Sequence, residues 1–407
     1  MTEPTLRFGL VGLGRAATGT LPSMRKHPNL TVSAVADIRP EIVEQFRADN
    51  GVDGFTSIEA LCESPNVDAV YIATPTHLHT EHVIAAAERG KHVMVEKPMA
   101  VTLEDAQKMI EVTERCGVQF LVGHSQSFEP PARKIREIVR SGILGELTMM
   151  HNWYYNDWLY RPRLPDELNT ERGGGIVFRQ GAHQFDIMRL IAGGIVQTVR
   201  AYTGRWDPAR PTEGAQTAYM EFDGGVVATA VYSAYDRFYT TEFTKINEGG
   251  QEAQPGEYAQ ARLAIRRAGA AGEQALKSQN RYGGANARRD VAQQTRHQSF
   301  FGLSIVSCEK GDIRQSPDGL LVYGDERMWE EPLTPGIVGR DLMVDEFYQA
   351  VRSGRPVQND GHWAMGTLEV TLAVLQSSRE HREVKLTHQA PTRDEVLTLV
   401  PSWVQAS

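Results

Sequence analysis

The tightest constraint on this chain lies near its start. A short apolar run, Arg7-Phe8-Gly9-Leu10-Val11, passes directly into Gly12-Leu13-Gly14-Arg15-Ala16-Ala17. A strand that enters a helix through Gly-x-Gly-x-x-Ala can fold in few ways. Gly12 permits the tight turn, Gly14 lets a phosphate approach the backbone, and Ala17 keeps the following helix close to the sheet. The free N–H groups and dipole of that helix, which begins at Arg15, then face an anion. Asp37 stands 20 residues beyond Ala17, at the end of a second strand over Val32–Ala36, where a carboxylate can bond ribose hydroxyls. The pattern predicts a dinucleotide site in an α/β domain of the Rossmann type. A carboxylate at that point disfavours a 2′-phosphate and so favours NAD, while Arg39, two residues on, keeps NADP as the alternative. The plainer reading of the glycines alone is a turn that binds nothing.

The next hundred residues carry the same alternation. Apolar runs over Asp68–Ala73, His92–Glu96 and Gln119–Gly123 read as further parallel strands, and Glu81–Arg89 and Thr102–Arg115 as helices closed by Gly90 and Gly117. After Gly123 the character changes. Residues 128–141 read as one amphipathic helix. Leu147–Trp153, Thr217–Phe222 and Val226–Tyr232 read as strands, the last two joined by the hairpin turn Asp223-Gly224-Gly225, and 341–353 and 364–379 as closing helices. The expected architecture is a Rossmann domain over residues 1–123 and an α+β domain over 124–407, built on a largely antiparallel open sheet. Within the second domain, residues 258–296 hold eight Lys or Arg against two acids. They form a basic insertion, at about 250–300, that is either simply solvated or an arm laid on a partner subunit or reaching toward an anionic site.

Composition narrows the function. A net charge of −8 over 407 residues does not suit a general nucleic-acid binder. Three widely spaced cysteines, Cys62, Cys116 and Cys308, with no CxxC pair, argue against a disulfide framework or zinc site and for a reducing compartment. The start of the chain shows no basic head with an apolar stretch, and no run approaches the roughly 20 apolar residues of a membrane span. A soluble, cytoplasmic protein is expected, without membrane or nucleic-acid partners.

Two loops at the carboxyl ends of strands carry candidate chemistry, since ligands of open α/β sheets bind there. Ala73-Thr74-Pro75-Thr76-His77-Leu78-His79 should line the cofactor, with Thr74, Pro75 and His79 toward it. His77, His79 and His82 could also be read as metal ligands, but no further ligand cluster lies nearby in sequence, and no metal is expected. Val95-Glu96-Lys97-Pro98 places a lysine at the mouth of the sheet, where burial would lower its pKa and make it a base; a surface lysine ending a strand fits the local sequence equally.

Gly12-x-Gly14-x-x-Ala17, Asp37, the Thr74-Pro75 loop, Glu96-Lys97-Pro98 and the run Gly173-Gly174-Gly175 leading to His183 occur in an order and spacing that resembles the Gfo/Idh/MocA oxidoreductases over nearly the whole chain. That resemblance implies a nicotinamide-dependent dehydrogenase with Lys97 beside the reacting hydroxyl and Glu96 at the cofactor. It also implies a C-terminal sheet that packs into a homo-oligomer, a dimer or tetramer. His183 would orient the substrate or relay the proton, and Asp186, three residues on along one helical face, would hold its tautomer.

One departure matters. Where the family has an aspartate four residues before the histidine, this chain has Arg179. An arginine cannot serve as a base, but it binds carboxylates in fork geometry and would lower the pKa of a neighbouring Lys97. Arg161, Arg163 and Arg172 lie nearby in sequence with Trp153, Tyr154, Tyr155, Trp158 and Tyr160. Together with Tyr282-Gly283-Gly284-Ala285-Asn286 of the long insertion, Arg296-His297-Gln298 and the stretch Cys308 to Pro317, they resemble the phthalate cis-4,5-dihydrodiol dehydrogenases within the family. The implied substrate is a small, cyclic, anionic cis-dihydrodiol, held by Arg179, Arg161, Arg163, Trp153 and Tyr154, and oxidised to the catechol. A sugar, sugar-acid or cyclitol dehydrogenase is the alternative enzyme, and a non-catalytic NAD-binding sensor the alternative class.

Overall fold

The computed structural model describes residues 5–252, 259–285 and 297–405. Arg288, Arg289 and Arg296 of the basic segment, and Asn286, lie outside the described residues, as does the amino-terminal Met1–Pro4.

The first sheet is parallel: β1 (Leu6–Val11), β2 (Leu30–Ala36), β3 (Asp53–Phe55), β4 (Ala69–Ile72), β5 (His92–Glu96) and β6 (Phe120–Gly123), in the spatial order β3-β2-β1-β4-β5-β6. Five of these strands are the apolar runs of the sequence. The sixth, β3, is only Asp-Gly-Phe and shows no apolar run of its own. Helices α1 (Arg15–Lys26), α2 (Pro40–Asn50), α3 (Ile58–Glu63), α4 (His79–Ala87) and α5 (Leu103–Arg115) connect them. Helices on both faces explain why Ala69, Val70, Tyr71 and Ile72 of β4 are all fully buried. Thr102 starts α5 by accepting from the Asp105 N–H, and Gly117, at φ 64°, follows its end. Strand order reverses between β1 and β4, which opens a crevice at their carboxyl ends.

The second sheet has nine strands. α6 (Pro130–Ser141) leads to β7 (Leu147–Tyr155); then follow α7 (Ala182–Ala192), β8 (Val196–Gly204), β9 (Ala215–Phe222), β10 (Val227–Ser233) and the short α8 (Thr241–Thr244). α9 (Gln260–Ser278) precedes β11 (Leu303–Cys308), β12 (Gly311–Gln315), β13 (Gly319–Gly324) and β14 (Met328–Pro332). α10 (Gly339–Ser353), α11 (Gly361–Glu380) and β15 (Val384–Lys385) follow. The order is β14-β13-β12-β11-β7-β10-β9-β8-β15, antiparallel except for the β7–β10 pair. β9 and β10 form the expected hairpin, turning at Gly224 with φ 77°.

One face of this sheet buries Met150, Tyr154, Ala218, Met220, Ala230 and Tyr232 against Phe185 and Met188 of α7 and Val370 and Val374 of α11. Burying each of the large side chains is worth about 1.5–3 kcal/mol. The other face is open, and Met149, Trp153, Tyr202 and Tyr219 on it remain between 37 % and 56 % exposed. Trp153 therefore points away from the crevice. The pleat sends its neighbours Asn152 and Tyr154 inward and Trp153 outward, which corrects its expected contact with substrate.

The return of the chain ties the two sheets together. Leu342, Met343 and Phe347 of α10 pack with Phe8, Leu10 and Met24 beneath the parallel sheet, and Lys26 pairs with Asp341 at 2.6 Å. The described part of the basic segment is not merely solvated, because α9 lies on its own chain. Arg262 stacks over the Tyr160 ring at 3.8 Å, Glu273 pairs with Arg210 at 2.7 Å, and Lys277 with Glu167 at 2.8 Å. Among the described residues no helix is long and apolar enough to cross a membrane.

Candidate active site

The fingerprint loop forms a cradle. Gly12 adopts φ +88°, and a Cβ there would lie 3.0 Å from the Ala73 carbonyl oxygen in an already strained backbone. At Gly14 the nearest atom to a built Cβ is 3.9 Å away, so the backbone is open to a ligand. Ala17 is buried in the core beneath, and α1 starts at Arg15 with its N–H groups facing the loop. These features fit a dinucleotide pyrophosphate. Asp37 stands at the end of β2 and accepts from the Leu13 N–H at 2.8 Å. It also accepts from Arg39, through the backbone N–H at 3.1 Å, Nε at 2.8 Å and Nη2 at 2.9 Å. Burial would raise this carboxyl, but the Arg39 and Leu13 hydrogen bonds hold it below the usual range. Arg39 is thus folded back on Asp37 and not extended toward a 2′-phosphate. Ile38, between them, is 88 % exposed and offers an apolar surface at the adenosine end.

The loop after β4 lies across the crevice. Thr74 Oγ1 and His82 Nδ1 are 2.9 Å apart, and Pro75 leads into the buried Thr76. His79, assigned from sequence to the cofactor, is 1 % exposed and stitches two loops together: Nδ1 lies 2.9 Å from the Pro98 carbonyl and Nε2 3.0 Å from the Thr74 carbonyl. Burial pushes its pKa down to about 4. Both ring nitrogens of His79 are thus occupied in tying the two loops together. Among the described residues no group of three His, Cys, Asp or Glu is arranged to hold a metal ion.

Lys97 follows β5, and the Lys97–Pro98 peptide is cis. Its Nζ donates to the Arg179 carbonyl oxygen at 2.6 Å. Burial, and then the Arg179 guanidinium, push its pKa down to about 7, with Glu96 opposing. Glu96 is in turn held by a short hydrogen bond from Tyr71, whose hydroxyl also meets Thr20 Oγ1 at 3.0 Å. Arg179 belongs to a wide π-helical turn, Val177–Gly181, a geometry often found at functional sites. The glycines before it are dictated by close packing: a Cβ at Gly175 would fall 1.9 Å from Glu213 Oε1, and one at Gly174 2.4 Å from the Asp166 carbonyl oxygen.

His183 opens α7 beside Lys97. Its ring meets Phe301 at 5.1 Å and His124 at 6.4 Å, and its buried Nδ1 has no hydrogen-bond partner among the described residues. Burial, then the charge of Lys97, hold its pKa well below the usual value, so the ring is neutral. The expectation that Asp186 fixes its tautomer is corrected. Asp186 is fully buried on the side of α7 that faces α11, where it accepts from Trp363 Nε1 at 2.6 Å, Thr367 Oγ1 at 3.1 Å and Asn359 Nδ2 at 3.5 Å. Three residues along a helix leave about 60° between side chains, enough here to send one to the crevice and the other to the core.

The arginines divide. Arg163 is internal: it donates through Nε and Nη2 to the Trp158 carbonyl and stacks on the Trp158 ring at 3.6 Å, and burial pushes its pKa down to about 9. It is unavailable to substrate, which corrects that assignment. Arg161 pairs with Asp157 at 3.2 Å and is 36 % exposed. Arg172 is at the surface beside Asp166, at 3.0 Å. Arg179 keeps 27 % of its side chain exposed; its Nη2 lies 3.5 Å from Glu167 and its Nη1 donates to Thr76 Oγ1 at 3.3 Å. Tyr154 reaches the site from β7, donating a short hydrogen bond to Glu248 and packing on Tyr232 at 5.0 Å and Phe301 at 5.1 Å.

Four contributors escaped the sequence reading. Glu167 gathers Arg163, Arg179 and Lys277, and its four-residue spacing from Arg163 was a usable signal. Glu248, Phe301 and Arg340 come from distant segments with no local signature. Arg340 bonds Thr20 Oγ1 through Nε at 3.2 Å, and its charge reaches both Lys97 and His183.

A parallel sheet with a glycine cradle at its switch point, and a recessed lysine where that crevice meets a second, largely antiparallel sheet, define an NAD-dependent oxidoreductase. Residues 6–124 match the Gfo/Idh/MocA oxidoreductase family model with its NAD-binding Rossmann fold, and residues 132–247 match the model of the family's C-terminal domain. The chain belongs to this family. It is 38 % identical over 379 residues to 1-carboxy-3-chloro-3,4-dihydroxycyclohexa-1,5-diene dehydrogenase of Comamonas testosteroni, covering 92 % of this chain and 95 % of that protein. Among solved structures, a putative dehydrogenase of Bordetella bronchiseptica superposes with a TM-score of 0.89 at 39 % identity, over 94 % of this chain and all of that one. An Agrobacterium radiobacter oxidoreductase, solved with NAD+, L-tartaric acid and magnesium, shares the fold with a TM-score of 0.70 at 18 % identity, over 93 % of this chain and 98 % of that one.

Proposed function

We propose that this enzyme oxidises a cis-dihydrodiol bearing ring carboxylate, of the cis-4,5-dihydro-4,5-dihydroxyphthalate type, to the corresponding catechol in the degradation of aromatic acids. The observation that carries the reading is the partly exposed Arg179 guanidinium beside Lys97, at the position where the family has a carboxylate. The printed name of the Comamonas relative, a carboxylated dihydroxycyclohexadiene dehydrogenase, supports it.

Gly12, Gly14 and the start of α1 would hold NAD, which would supply the hydride acceptor. Lys97, with a pKa near 7, is substantially neutral at physiological pH. One of its N–H bonds is spent on the Arg179 carbonyl, which fixes Nζ and leaves its lone pair for the substrate hydroxyl. Nζ takes that proton as the C–H electron pair leaves as hydride. His183, neutral and with no partner on Nδ1 among the described residues, orients the diol by hydrogen bonding and does not act as an acid. The resulting hydroxyketone tautomerises, its sp3 ring carbon giving up a proton while the ketone oxygen gains one, so the net products of one diol and NAD+ are the catechol, NADH and the one proton taken by Lys97. Arg179, with Arg161 at the rim, holds the carboxylate. We also propose that the open face bearing Met149, Trp153, Tyr202 and Tyr219 is where subunits pair.

The test is NADH formation with a panel of carboxylated dihydrodiols, an uncarboxylated dihydrodiol, sugars, sugar acids and cyclitols, with the product identified by mass. Turnover confined to sugars or cyclitols would transfer the enzyme to that class. NADH binding with no turnover on any member would point to a sensor.

A further inference from the structure

The described part of the basic insertion, residues 259–285, crosses from one sheet to the other. α9 is fastened to the substrate side by Glu273, which pairs with Arg210 and accepts the Arg163 N–H at 2.8 Å, and by Lys277 on Glu167. The turn that follows is fastened to the nucleotide side. The Tyr282 N–H donates to the Leu13 carbonyl at 3.4 Å, inside the Gly12–Gly14 loop itself. The Tyr282 ring packs on Phe46 of α2 at 4.8 Å, and its hydroxyl bonds Asp49 at 2.7 Å and Asn50 at 3.3 Å. The segment is therefore a strap over the cofactor crevice, pinned at both ends.

The residue before Tyr282 is Arg281. Its Cα lies about 3.8 Å from that of Tyr282, so its side chain is within reach of the fingerprint loop. It is half-buried, and among the described residues its guanidinium has neither a hydrogen-bond acceptor nor an ion-pair partner. The charges that act on it are Arg39, Glu167 and Asp37, which places it between the ribose carboxylate and the substrate domain. The interval borders the Gly12–Gly14 loop, which the Tyr282 N–H touches, and that loop is where the phosphates of a dinucleotide would lie. Arg39 is paired with Asp37, whereas among the described residues Arg281 has no carboxylate within ion-pair distance.

We propose that the strap is part of the cofactor site: Arg281 binds the cofactor's pyrophosphate from the C-terminal domain, and Tyr282 latches the strap so that bound cofactor is retained. This assignment stands apart from the choice of substrate, and its test uses none.

Binding of NADH, NADPH, ADP and adenosine to the purified enzyme is measured by fluorescence or calorimetry, and NADH release by stopped-flow chase with excess NAD. Arg281→Met should weaken NADH and ADP by about tenfold or more, as loss of a charge-assisted contact does, and leave adenosine within about twofold. Arg281→Lys should restore part of the loss. Tyr282→Ala should accelerate NADH release about tenfold. Tyr282→Phe, which keeps the ring on Phe46 and loses the hydroxyl bonds, should do so by a smaller factor and guards against a misfolded alanine variant. Unchanged NADH affinity in Arg281→Met overturns the proposal. So does an equal loss for adenosine and ADP, which would make Arg281 a support of the ribose pocket, or a loss confined to NADPH, which would make it a 2′-phosphate ligand.

Discussion

Lys97 Nζ lies 2.6 Å from the carbonyl oxygen of Arg179, so the proposed base and the proposed carboxylate ligand form one unit. The backbone of Arg179 fixes the amine, and its guanidinium is the second cause, after burial, of the fall in the Lys97 pKa to about 7. For diol oxidation the amine must be neutral. The rate should therefore be low below pH 7, rise through it and level off above. Arg179→Met removes the like charge and should move this limb to higher pH, while Arg179→Lys should leave it nearly in place. Lys97→Met should lower kcat by about 10²–10⁴-fold with NADH binding retained. The pH profile of kcat/KM for the three variants decides the matter; a limb that ignores Arg179 would remove the electrostatic coupling.

Asp186 was assigned to His183, but from α7 it bonds Trp363 and Thr367 of α11 instead. It is fully buried, and its charge compensates Arg189, which stacks on Trp363 at 4.0 Å and donates to Thr367 Oγ1 at 2.6 Å. Removing one member of such a buried charged network costs about 3–5 kcal/mol. Asp186→Ala should lower denaturant stability by that order while kcat per folded molecule changes less than about tenfold. His183→Asn should do the reverse, with activity lost and stability nearly kept. Equilibrium unfolding and kinetics on the same preparations separate the two, and an Asp186 variant that folds normally yet is inactive would restore the dyad.

What could be read from sequence was what is local. Gly12, Gly14, Ala17 and Asp37 act within one βαβ unit, so spacing alone carries their roles. Lys97 was placed by its strand, and its lowered pKa follows first from burial and then from the Arg179 charge. Failures came where orientation decides. Trp153 and Tyr154 are adjacent, and the pleat alone sends one to the open face and the other to the site. Arg163 and Arg179 both look like anion ligands, yet one is sealed against Trp158 and the other is partly open. Glu248 and Arg340 reach the crevice through long-range packing that no spacing encodes.

Asp37 accepts four hydrogen bonds from Leu13 and Arg39, which fill the acceptor sites of a carboxylate. A ribose diol must therefore displace the Arg39 fork. Asp37→Ala loses the ribose contact and at the same time frees Arg39. NADH should bind about tenfold more weakly and NADPH more tightly than in the wild type. In the double variant Asp37→Ala, Arg39→Ala, the NADPH gain should vanish. Titrations of both cofactors against the three proteins test this, and unchanged affinities would take Asp37 out of the adenosine site.

In the proposed reaction Arg179 is the residue that would hold the substrate carboxylate. Its Nη2 is 3.5 Å from Glu167, a longer contact than the 2.8 Å between Lys277 and the same carboxylate, so Glu167 is already served and Arg179 can turn to a ligand. A charge-assisted hydrogen bond in such a recess is worth about 1.5–3 kcal/mol. Arg179→Met keeps much of the bulk and loses the fork. It should lower kcat/KM for a carboxylated dihydrodiol by about 10–100-fold at a fixed pH on the plateau, where the Lys97 shift does not enter. An uncarboxylated dihydrodiol, which makes no such bond, should lose much less. Arg179→Lys should recover only part, because a point charge does not reproduce two parallel N–H bonds. Equal losses on both substrates would mean that the Arg179 side chain only supports the π-turn, and the carboxylate would then have to be sought at Arg161 or Arg340.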